Sequence, residues 1–418
     1  MAAAEPVPLP CRAQPWGPEA RRLELLAAVE AAVLALLRAA AAPGPWPPAA
    51  APAAGGAPGR PKPALAVPVR GCAASVALAG LVPTAPASAA ERLAAKLQLL
   101  LDGGKAGPTE RKALRLRRLL ALLDSVHGLL CSGRHATPRE LFYTHATLFD
   151  RQQQSDDLLK ILCRTLEVPR HYLRLVGTAK GLVRGHLRIL EPSLAHGAPS
   201  ATGDGGSSVG VWVDGLDPLE PGGHSISPAC AHLVRVESMA RTVLLVEKET
   251  VFHRLLEEGV LERHRPCVLI TARGFPDAPS RYFLRRLWED LACPRVLALA
   301  DFDAAGLAIG ATYAFGPEEP WTQDDLAVPA ASPLVCPGGA AGAARFGLQS
   351  GDAVALTARD RALAQGLLRR LARLREAPSA SAWENAAALL LEGGVKYELD
   401  ALDRLSDFVD FCLRSPGD

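Results

Sequence analysis

Three short apolar runs, separated by helical patterns, constrain the fold more than any other feature of this sequence. They cover residues 242–246, 266–271 and 295–300. Continuous apolar strands that alternate with helices are typical of a parallel sheet covered on both faces. The sequence therefore predicts an α/β unit over residues 241–316, with these runs as neighbouring strands.

Acidic residues follow two of the three runs. Glu247 comes directly after the first run, and Asp301 and Asp303 come after the third. Because ligand sites form beyond the carboxyl ends of parallel strands, we expect the three side chains on one rim of the sheet. Carboxylate oxygens with no Cys or His beside them suit a hard cation, and Mg²⁺ is the usual ion where the substrate is a phosphate. The alternative, that Asp-x-Asp only caps the next helix, stays open at this point.

Charge is distributed unevenly along the chain. Its 418 residues, enough for two or three domains, carry a net charge of only +2. Residues 105–190 nevertheless contain 16 Lys and Arg against 7 Asp and Glu. A basic module joined to an acidic remainder suggests a nucleic-acid surface on the first and a metal site on the second.

Cysteine usage and the N-terminal region exclude several protein classes. The 9 Cys are scattered and never spaced as Cys-x-x-Cys, which indicates neither a disulfide framework nor a zinc site and favours a reducing compartment. The apolar stretch 23–42 is interrupted by Glu24, Glu30 and Arg38, so it predicts an amphipathic helix and no membrane span. Residues 39–68, rich in Ala, Pro and Gly, predict a flexible linker.

The basic region has the pattern of helices followed by a hairpin. Helical periodicity covers residues 88–101, 109–130 and 155–166, and Thr-Pro-Arg-Glu at 137–140 fits a capping box that begins a further helix. Two apolar segments, 172–176 and 182–189, flank a turn and predict a basic hairpin. This order is typical of a winged helix, and an ordinary helical domain with a surface hairpin is the alternative.

Several blocks of sequence resemble one known family. The blocks are Thr-Pro-Arg-Glu-Leu-Phe-Tyr at 137–143, Lys-Gly-Leu-Val-x-Gly-x-Leu at 180–187, Val-Glu-Lys at 246–248, Pro-Asp at 276–277 with Arg281, Asp-x-Asp-x-x-Gly at 301–306, and Leu-Thr-x-Arg-Asp at 356–360. Together they resemble the eukaryotic meiotic double-strand-break proteins, which are related to the DNA-cleaving A-type subunit of DNA topoisomerase VI. The blocks lie in the family's order over about residues 90–405.

The resemblance implies a fold of mixed class, α/β and α+β, in several domains. We expect an N-terminal helix and linker over residues 1–85 and a winged-helix DNA-binding domain with the active tyrosine over 86–192. A linker region would follow at 193–234. A Toprim domain, a metal-binding module with a mostly parallel sheet, would then occupy 235–418 with C-terminal helices.

The resemblance also implies which residues carry the chemistry. Tyr143 would be the nucleophile, assisted by Arg139, and Glu247, Asp301 and Asp303 would bind Mg²⁺. Without the family motif, a tyrosine that follows Phe142 on an amphipathic helix would be interpreted as core packing. The implied enzyme is a Mg-dependent, type IIB topoisomerase-like tyrosine transesterase.

Three basic residues are candidates for DNA contact. Lys180 at the expected hairpin turn would contact the DNA backbone rather than read sequence. Lys248, beside Glu247, would reach the phosphate or offset local negative charge. Arg281 would touch DNA or pair with a carboxylate.

The implied assembly is a nuclear homodimer on double-stranded DNA, with a partner resembling the B-type subunit of topoisomerase VI. Its function would be to make double-strand breaks through a 5′-phosphotyrosyl link and so to initiate meiotic recombination. Two alternatives share the motifs: the A-type subunit of a somatic topoisomerase VI, and a catalytically weak DNA-binding paralogue. An Asp-x-Asp phosphatase is a third alternative, and it would not need Tyr143.

Three loops depart from the family pattern. A Gly-Lys-Gly turn is replaced by Ala272-Arg273-Gly274, and Ala in the first position narrows the allowed backbone angles. The metal loop has Ala304-Ala305 in place of Pro followed by His or Tyr, which removes a ring that would help place the substrate. A Trp-Leu-Gly segment is replaced by residues 337–342.

Overall fold

The computed structural model divides the chain into two compact units. It describes residues 19–41, 89–101, 110–177, 180–192, 210–226, 235–291, 294–317, 326–336, 338–374 and 376–414. The helical unit comprises Ala20–Ser132 and Leu141–Glu167, and the sheet unit consists mainly of Gly133–Glu140 and Val168–Asp418. Most of the predicted linkers, 39–68 and 193–234, lie outside the described residues.

Helices occur in both units. They are α1 (Glu19–Ala41), α2 (Ala89–Leu101), α3 (Glu110–Ser132), α4 (Pro138–Thr144), α5 (Gln152–Leu166), α6 (Glu249–Glu257), α7 (Val260–Arg263), α8 (Ala278–Asp290), α9 (Ala304–Phe315), α10 (Gly339–Ala343), α11 (Ala358–Leu371), α12 (Ala380–Gly393) and α13 (Leu405–Arg414). Within the described parts of the chain, none of them combines the length and apolar character that a membrane span requires.

Strands occur in the sheet unit. They are β1 (Gly181–Gly185), β2 (Leu187–Pro192), β3 (Gly210–Asp214), β4 (His224–Ile226), β5 (Arg235–Ser238), β6 (Thr242–Val246), β7 (Cys267–Thr271), β8 (Arg295–Leu299), β9 (Ser332–Pro333), β10 (Val354–Ala355) and β11 (Val395–Lys396).

The helical unit is built on apolar residues that recur every three or four positions. Leu93 and Leu97 of α2, Leu122 of α3, and Leu159 and Leu162 of α5 are fully or almost fully buried. This spacing places them on one face of each helix, so the helices bury a common core. The helices predicted for this region, α1 included, are confirmed.

The main sheet has six strands in the order β4-β1-β7-β6-β8-β9. Strands β7, β6, β8 and β9 are mutually parallel, and β1 runs antiparallel to β7. Every residue of β7 is buried, as are Val243–Val246 of β6. Successive side chains of a strand face opposite sides, so both faces of these central strands are covered. The predicted mostly parallel sheet is confirmed.

The hairpin predicted for residues 172–189 is wrong. Arg170–Leu173 form a 3₁₀ turn, and the next segment forms two strands that enter different sheets. Strand β1 joins the main sheet between β4 and β7, whereas β2 lies between β3 and β5 in a three-stranded sheet. The apolar pattern identified strands but not their partners, which are distant in sequence. From Val168 onwards the chain belongs to the sheet unit, which thus includes residues 168–192 of the predicted winged-helix domain.

The close approach of β1 to β7 requires glycine at position 185. Gly185 has φ 140°, and a Cβ there would lie 2.5 Å from the Cys267 carbonyl oxygen and 2.7 Å from the Val268 Cα. We expect Gly185→Ala to destabilise the protein by about 3 kcal/mol, because both the backbone angle and the contact are unfavourable. Thermal and urea unfolding measure this loss.

The matched control is Gly128→Ala in α3, where an added Cβ meets nothing within 4 Å. Ala favours a helix interior by up to about 1 kcal/mol over Gly, so this variant should be as stable as the parent or more so. Equal stability of Gly185→Ala and the parent would contradict the placement of β1 in the main sheet.

Candidate active site

Tyr143 lies on the surface of its unit. The capping box that begins α4 is present: Glu140 N–H donates to Thr137 Oγ1 at 3.0 Å, and Thr137 N–H donates to Glu140 Oε2 at 3.2 Å. The helix buries Leu141 and leaves Tyr143 59% exposed. Arg139, four residues earlier on the helix, is also exposed. The interpretation of Tyr143 as core packing is therefore wrong.

The three acidic residues lie where β6 and β8 end. These parallel strands pair Val246 with Leu299, so Glu247 and Asp301 emerge side by side. The Asp301 N–H donates to Glu247 Oε2 at 3.0 Å. Asp303 is the N-cap of α9, and its Oδ1 accepts the Gly306 N–H at 2.7 Å. Asp303 thus caps α9 and also lies on the rim of the sheet.

Gly306 explains the spacing of the Asp-x-Asp-x-x-Gly block. A Cβ at this position would lie 2.4 Å from the Asp301 carbonyl oxygen and 3.0 Å from Glu247 Oε2. Only the absence of a side chain lets the first turn of α9 approach both acidic residues. The glycine therefore keeps the two carboxylates and the helix N-terminus in one compact group.

Burial and mutual repulsion make these carboxylates difficult to ionise. Burial, and secondly the negative charge of Asp301, raise the pKa of Glu247 to about 7. The hydrogen bond from the Asp301 N–H acts in the opposite direction. Burial also raises the pKa of Asp301, although Lys248 and the Leu399 N–H act in the other direction. A cation bound here would relieve this repulsion, since it favours the charged form of each acid.

Lys248 is surrounded by three carboxylates. Its Nζ lies 2.8 Å from Asp301 Oδ2, 2.9 Å from Glu398 Oε2 and 3.0 Å from Asp400 Oδ2. Burial lowers the pKa of Lys248, but these contacts more than offset it and hold the pKa above its ordinary value. Glu398 and Asp400 were not predicted from the sequence. Their only sequence signal is that the two acidic residues are separated by a single residue.

The side chains present suit a hard cation by chemistry but are turned towards internal partners. Among the described residues, no group of three or more His, Cys, Asp or Glu side chains is arranged to hold a metal ion. Asp301 Oδ1 accepts the Leu399 N–H at 2.9 Å and its Oδ2 contacts Lys248, while Glu247 and Asp303 each accept one backbone N–H. Oxygen donors on one rim with glycine beside them still fit Mg²⁺ better than a softer ion.

The other two predicted DNA-contacting residues, Arg281 and Lys180, also have surroundings that the sequence did not indicate. Arg281 is only 4% exposed. It lies close to His171, whose pKa falls to about 3 through burial and the positive charge of Arg281. Because the guanidinium is in the interior, we do not propose that Arg281 contacts DNA. Lys180 is half-buried and directly precedes β1 rather than occupying a hairpin turn.

The altered turn does not strain the backbone at its alanine. Positive φ angles occur at Arg273 (53°) and Gly274 (94°), not at Ala272, which is buried. The expected cost of Ala272 is therefore absent. Arg273 Nη2 donates to Glu249 Oε1 at 2.7 Å. In the metal loop Ala304 is buried, whereas Ala305, beside it, is exposed.

Comparisons with known proteins decide the family. Residues 242–413 match the model of the Toprim domain shared by Spo11 and the A subunit of topoisomerase 6, and residues 114–175 match the one described as Type IIB DNA topoisomerase. The meiotic recombination protein SPO11-1 of Oryza sativa subsp. indica is 34% identical over 295 residues, 70% of this chain and 71% of that protein. The chain belongs to the family of Spo11 and the topoisomerase 6 A subunit. The resemblance, the fold class and the enzyme class, type IIB DNA topoisomerase, are thereby confirmed.

Members of the Spo11 and topoisomerase branches both match. Human meiotic recombination protein SPO11 is 28% identical over 301 residues, 71% of this chain and 69% of that protein. The A3 subunit of DNA topoisomerase 6 from Oryza sativa subsp. indica is 38% identical over 208 residues, 50% of this chain and 42% of that protein. The matches to SPO11-1 of Oryza sativa subsp. indica and to human SPO11 extend over more of the chain than the match to the A3 subunit does.

Proposed function

We propose that this protein makes DNA double-strand breaks in the nucleus by tyrosine transesterification and so initiates meiotic recombination. The observation that carries the proposal is the exposed Tyr143 on α4, within the segment that matches the type IIB topoisomerase family. The longer matches to meiotic recombination proteins support the meiotic role.

The reaction exchanges one phosphodiester bond for another. Tyr143 Oη attacks the scissile phosphorus and loses its proton, the bond from phosphorus to the 3′ oxygen breaks, and the departing 3′ oxygen takes up a proton. The 5′ phosphate is left joined to Tyr143. Because a phenol has a pKa near 10, Arg139 would promote attack by stabilising the phenolate. One bond replaces another of the same kind, so the step needs no ATP.

Glu247, Asp301 and Asp303 would hold Mg²⁺ at the rim of the sheet. When bound, the ion would neutralise charge on the scissile phosphate and on the departing 3′ oxygen. The protein's own contribution is to fix the ligands: the Asp301 N–H orients Glu247, and the Gly306 N–H orients Asp303. Hydrogen bonds of this kind set the direction in which a carboxylate presents its free lone pairs.

The proposed assembly is a homodimer on double-stranded DNA with a B-type partner protein. Family membership supports it: the tyrosine of one protomer would act with the metal site of the other. Lys180, directly before β1, would contact the DNA backbone.

The test is to map the covalent link directly. The chain, purified with its B-type partner, is incubated with duplex DNA and Mg²⁺, denatured, digested with nuclease and protease, and analysed by tandem mass spectrometry. We expect a nucleotide attached through its 5′ phosphate to the peptide that contains Tyr143, and no adduct in EDTA. An adduct on another residue, or at 3′ ends, would refute the mechanism.

The A subunit of a somatic topoisomerase 6 is the second candidate, because the match to the A3 subunit of DNA topoisomerase 6 has the higher identity over its shorter range. ATP-dependent relaxation of supercoiled DNA by the same complex would favour it. Absence of any adduct from that complex would favour the DNA-binding paralogue instead. The phosphatase alternative has no support, because Asp301 follows β8 rather than the first parallel strand and the family is that of type IIB topoisomerases.

A further inference from the structure

A C-terminal segment lies against the metal loop. This strap, residues 397–403, begins with an antiparallel bridge in which Phe302 N–H donates to the Tyr397 carbonyl at 3.0 Å. Leu399 N–H donates to Asp301 Oδ1 at 2.9 Å. The strap therefore fixes one oxygen of Asp301 from outside the loop that contains it.

Helix α6 holds the strap in place. Thr250 Oγ1 donates to Asp400 Oδ1 at 3.2 Å. Arg254 Nη2 donates to the carbonyls of Leu402 at 2.6 Å and Asp403 at 3.0 Å. The two Arg254 contacts anchor the backbone of the strap independently of Lys248, which directly precedes the helix.

The three partners of Lys248 differ in their surroundings. The Asp301 side chain is 9% exposed, whereas those of Glu398 and Asp400 are 72% and 40% exposed. One ammonium is thus shared between a proposed metal ligand on the inside and two solvated carboxylates on the strap. All three contacts are 3.0 Å or shorter. If the contact with Asp301 is lost, the ammonium therefore still has Glu398 and Asp400 within reach.

We propose that Lys248 is a resident counter-ion of Asp301 that competes with the divalent cation, and that Glu398 and Asp400 retain its ammonium when Asp301 turns to the metal. The proposal rests on the metal site proposed above. A lysine side chain suits this role because it is a flexible point charge with three rotatable donors. Lys248 is then a positioning residue, and not a DNA contact.

Two variants should change metal affinity in opposite directions. Lys248→Met removes a positive charge that lies next to a proposed ligand, so Mn²⁺ should bind about fivefold more tightly. Glu398→Gln with Asp400→Asn leaves the ammonium with Asp301 alone, so Mn²⁺ should bind about fivefold more weakly. If the strap residues act through Lys248, their effect should nearly vanish in the Lys248→Met background.

The experiment measures free Mn²⁺ by electron paramagnetic resonance with the purified full chain, without DNA. Thermal unfolding of each variant without metal reports whether it folds. Asp407→Asn on α13, which removes an exposed carboxylate 3.8 Å from Arg263, is the matched control and should leave Mn²⁺ affinity unchanged. Glu247→Gln, at a proposed ligand, should lower the affinity most.

Each outcome has one interpretation. If Glu247→Gln binds Mn²⁺ as well as the parent, the proposed metal site fails. If Glu247→Gln loses binding but Lys248→Met also weakens it, or the strap variants have their full effect without Lys248, the metal site stands and the counter-ion proposal is overturned. Should Lys248→Met not fold, Lys248→Gln replaces it in the same comparison.

Discussion

Tyr143→Phe is expected to abolish the covalent protein–DNA adduct while leaving the fold intact. The substitution removes one oxygen, the proposed nucleophile, and no neighbouring side chain offers a phenol in its place on α4. Because the Tyr143 side chain is largely exposed, its hydroxyl contributes little to packing, and the free energy of unfolding should change by less than about 0.5 kcal/mol. The adduct is measured with 5′-labelled duplex DNA and the B-type partner after denaturation.

Tyr172→Phe is the matched control for this prediction. It removes a phenol hydroxyl from a tyrosine that is buried in the sheet unit. The Tyr172 ring packs edge-on against the His171 ring, with their centroids 4.9 Å apart. We expect the adduct to persist at the parental yield. If both variants formed the adduct equally, Tyr143 would not be the nucleophile. An unfolded Tyr143→Phe protein would instead contradict the expectation that its hydroxyl contributes little to packing.

Gly306→Ala is expected to damage both stability and metal binding. The added methyl group would meet the Asp301 carbonyl oxygen at 2.4 Å, a backbone atom that cannot move aside without shifting the loop. Overpacking of this kind costs about 1–3 kcal/mol, and it would separate Glu247 from Asp301. Mn²⁺ affinity should fall about tenfold or more, equivalent to ~1.4 kcal/mol. Thermal unfolding and electron paramagnetic resonance measure the two effects.

Gly366→Ala separates this effect from a general intolerance of helical glycines. Gly366 lies within α11, where the nearest atom to an added Cβ is the end of the Arg369 side chain at 3.9 Å. This variant should be slightly more stable than the parent and bind Mn²⁺ equally well. Parental metal affinity in Gly306→Ala would show that the glycine does not hold the two acids together.

The parallel strands were predictable because their signal is local. Strands β6, β7 and β8 are short and mainly apolar, and a helix follows each of them. This order leaves few topologies open. The partners of β1 were not predictable in the same way. Its apolar residues fit the predicted hairpin with residues 172–176 as well as a position beside β7, and only tertiary packing distinguishes the two.

The site was predictable in its ligands but not in their surroundings. Glu247 and Asp301 follow adjacent strands, so topology alone brings them together. Glu398 and Asp400 come from a distant segment, and no periodicity connects them to Lys248. Arg281 illustrates a related limit, because the helical pattern of α8 gives no sign that this basic residue will be buried.

The position of β1 has a consequence for the order in which the protein folds. Val183 pairs with Ile270, although Val183 is synthesised long before Ile270. The parallel core of β6, β7 and β8 closes through shorter connections, each an ordinary strand–helix–strand crossover. Since long loops are costlier to close than short ones, nucleation should begin in that core. Strand β1 has an earlier partner in β4, but its pairing with β7 would form only after this core.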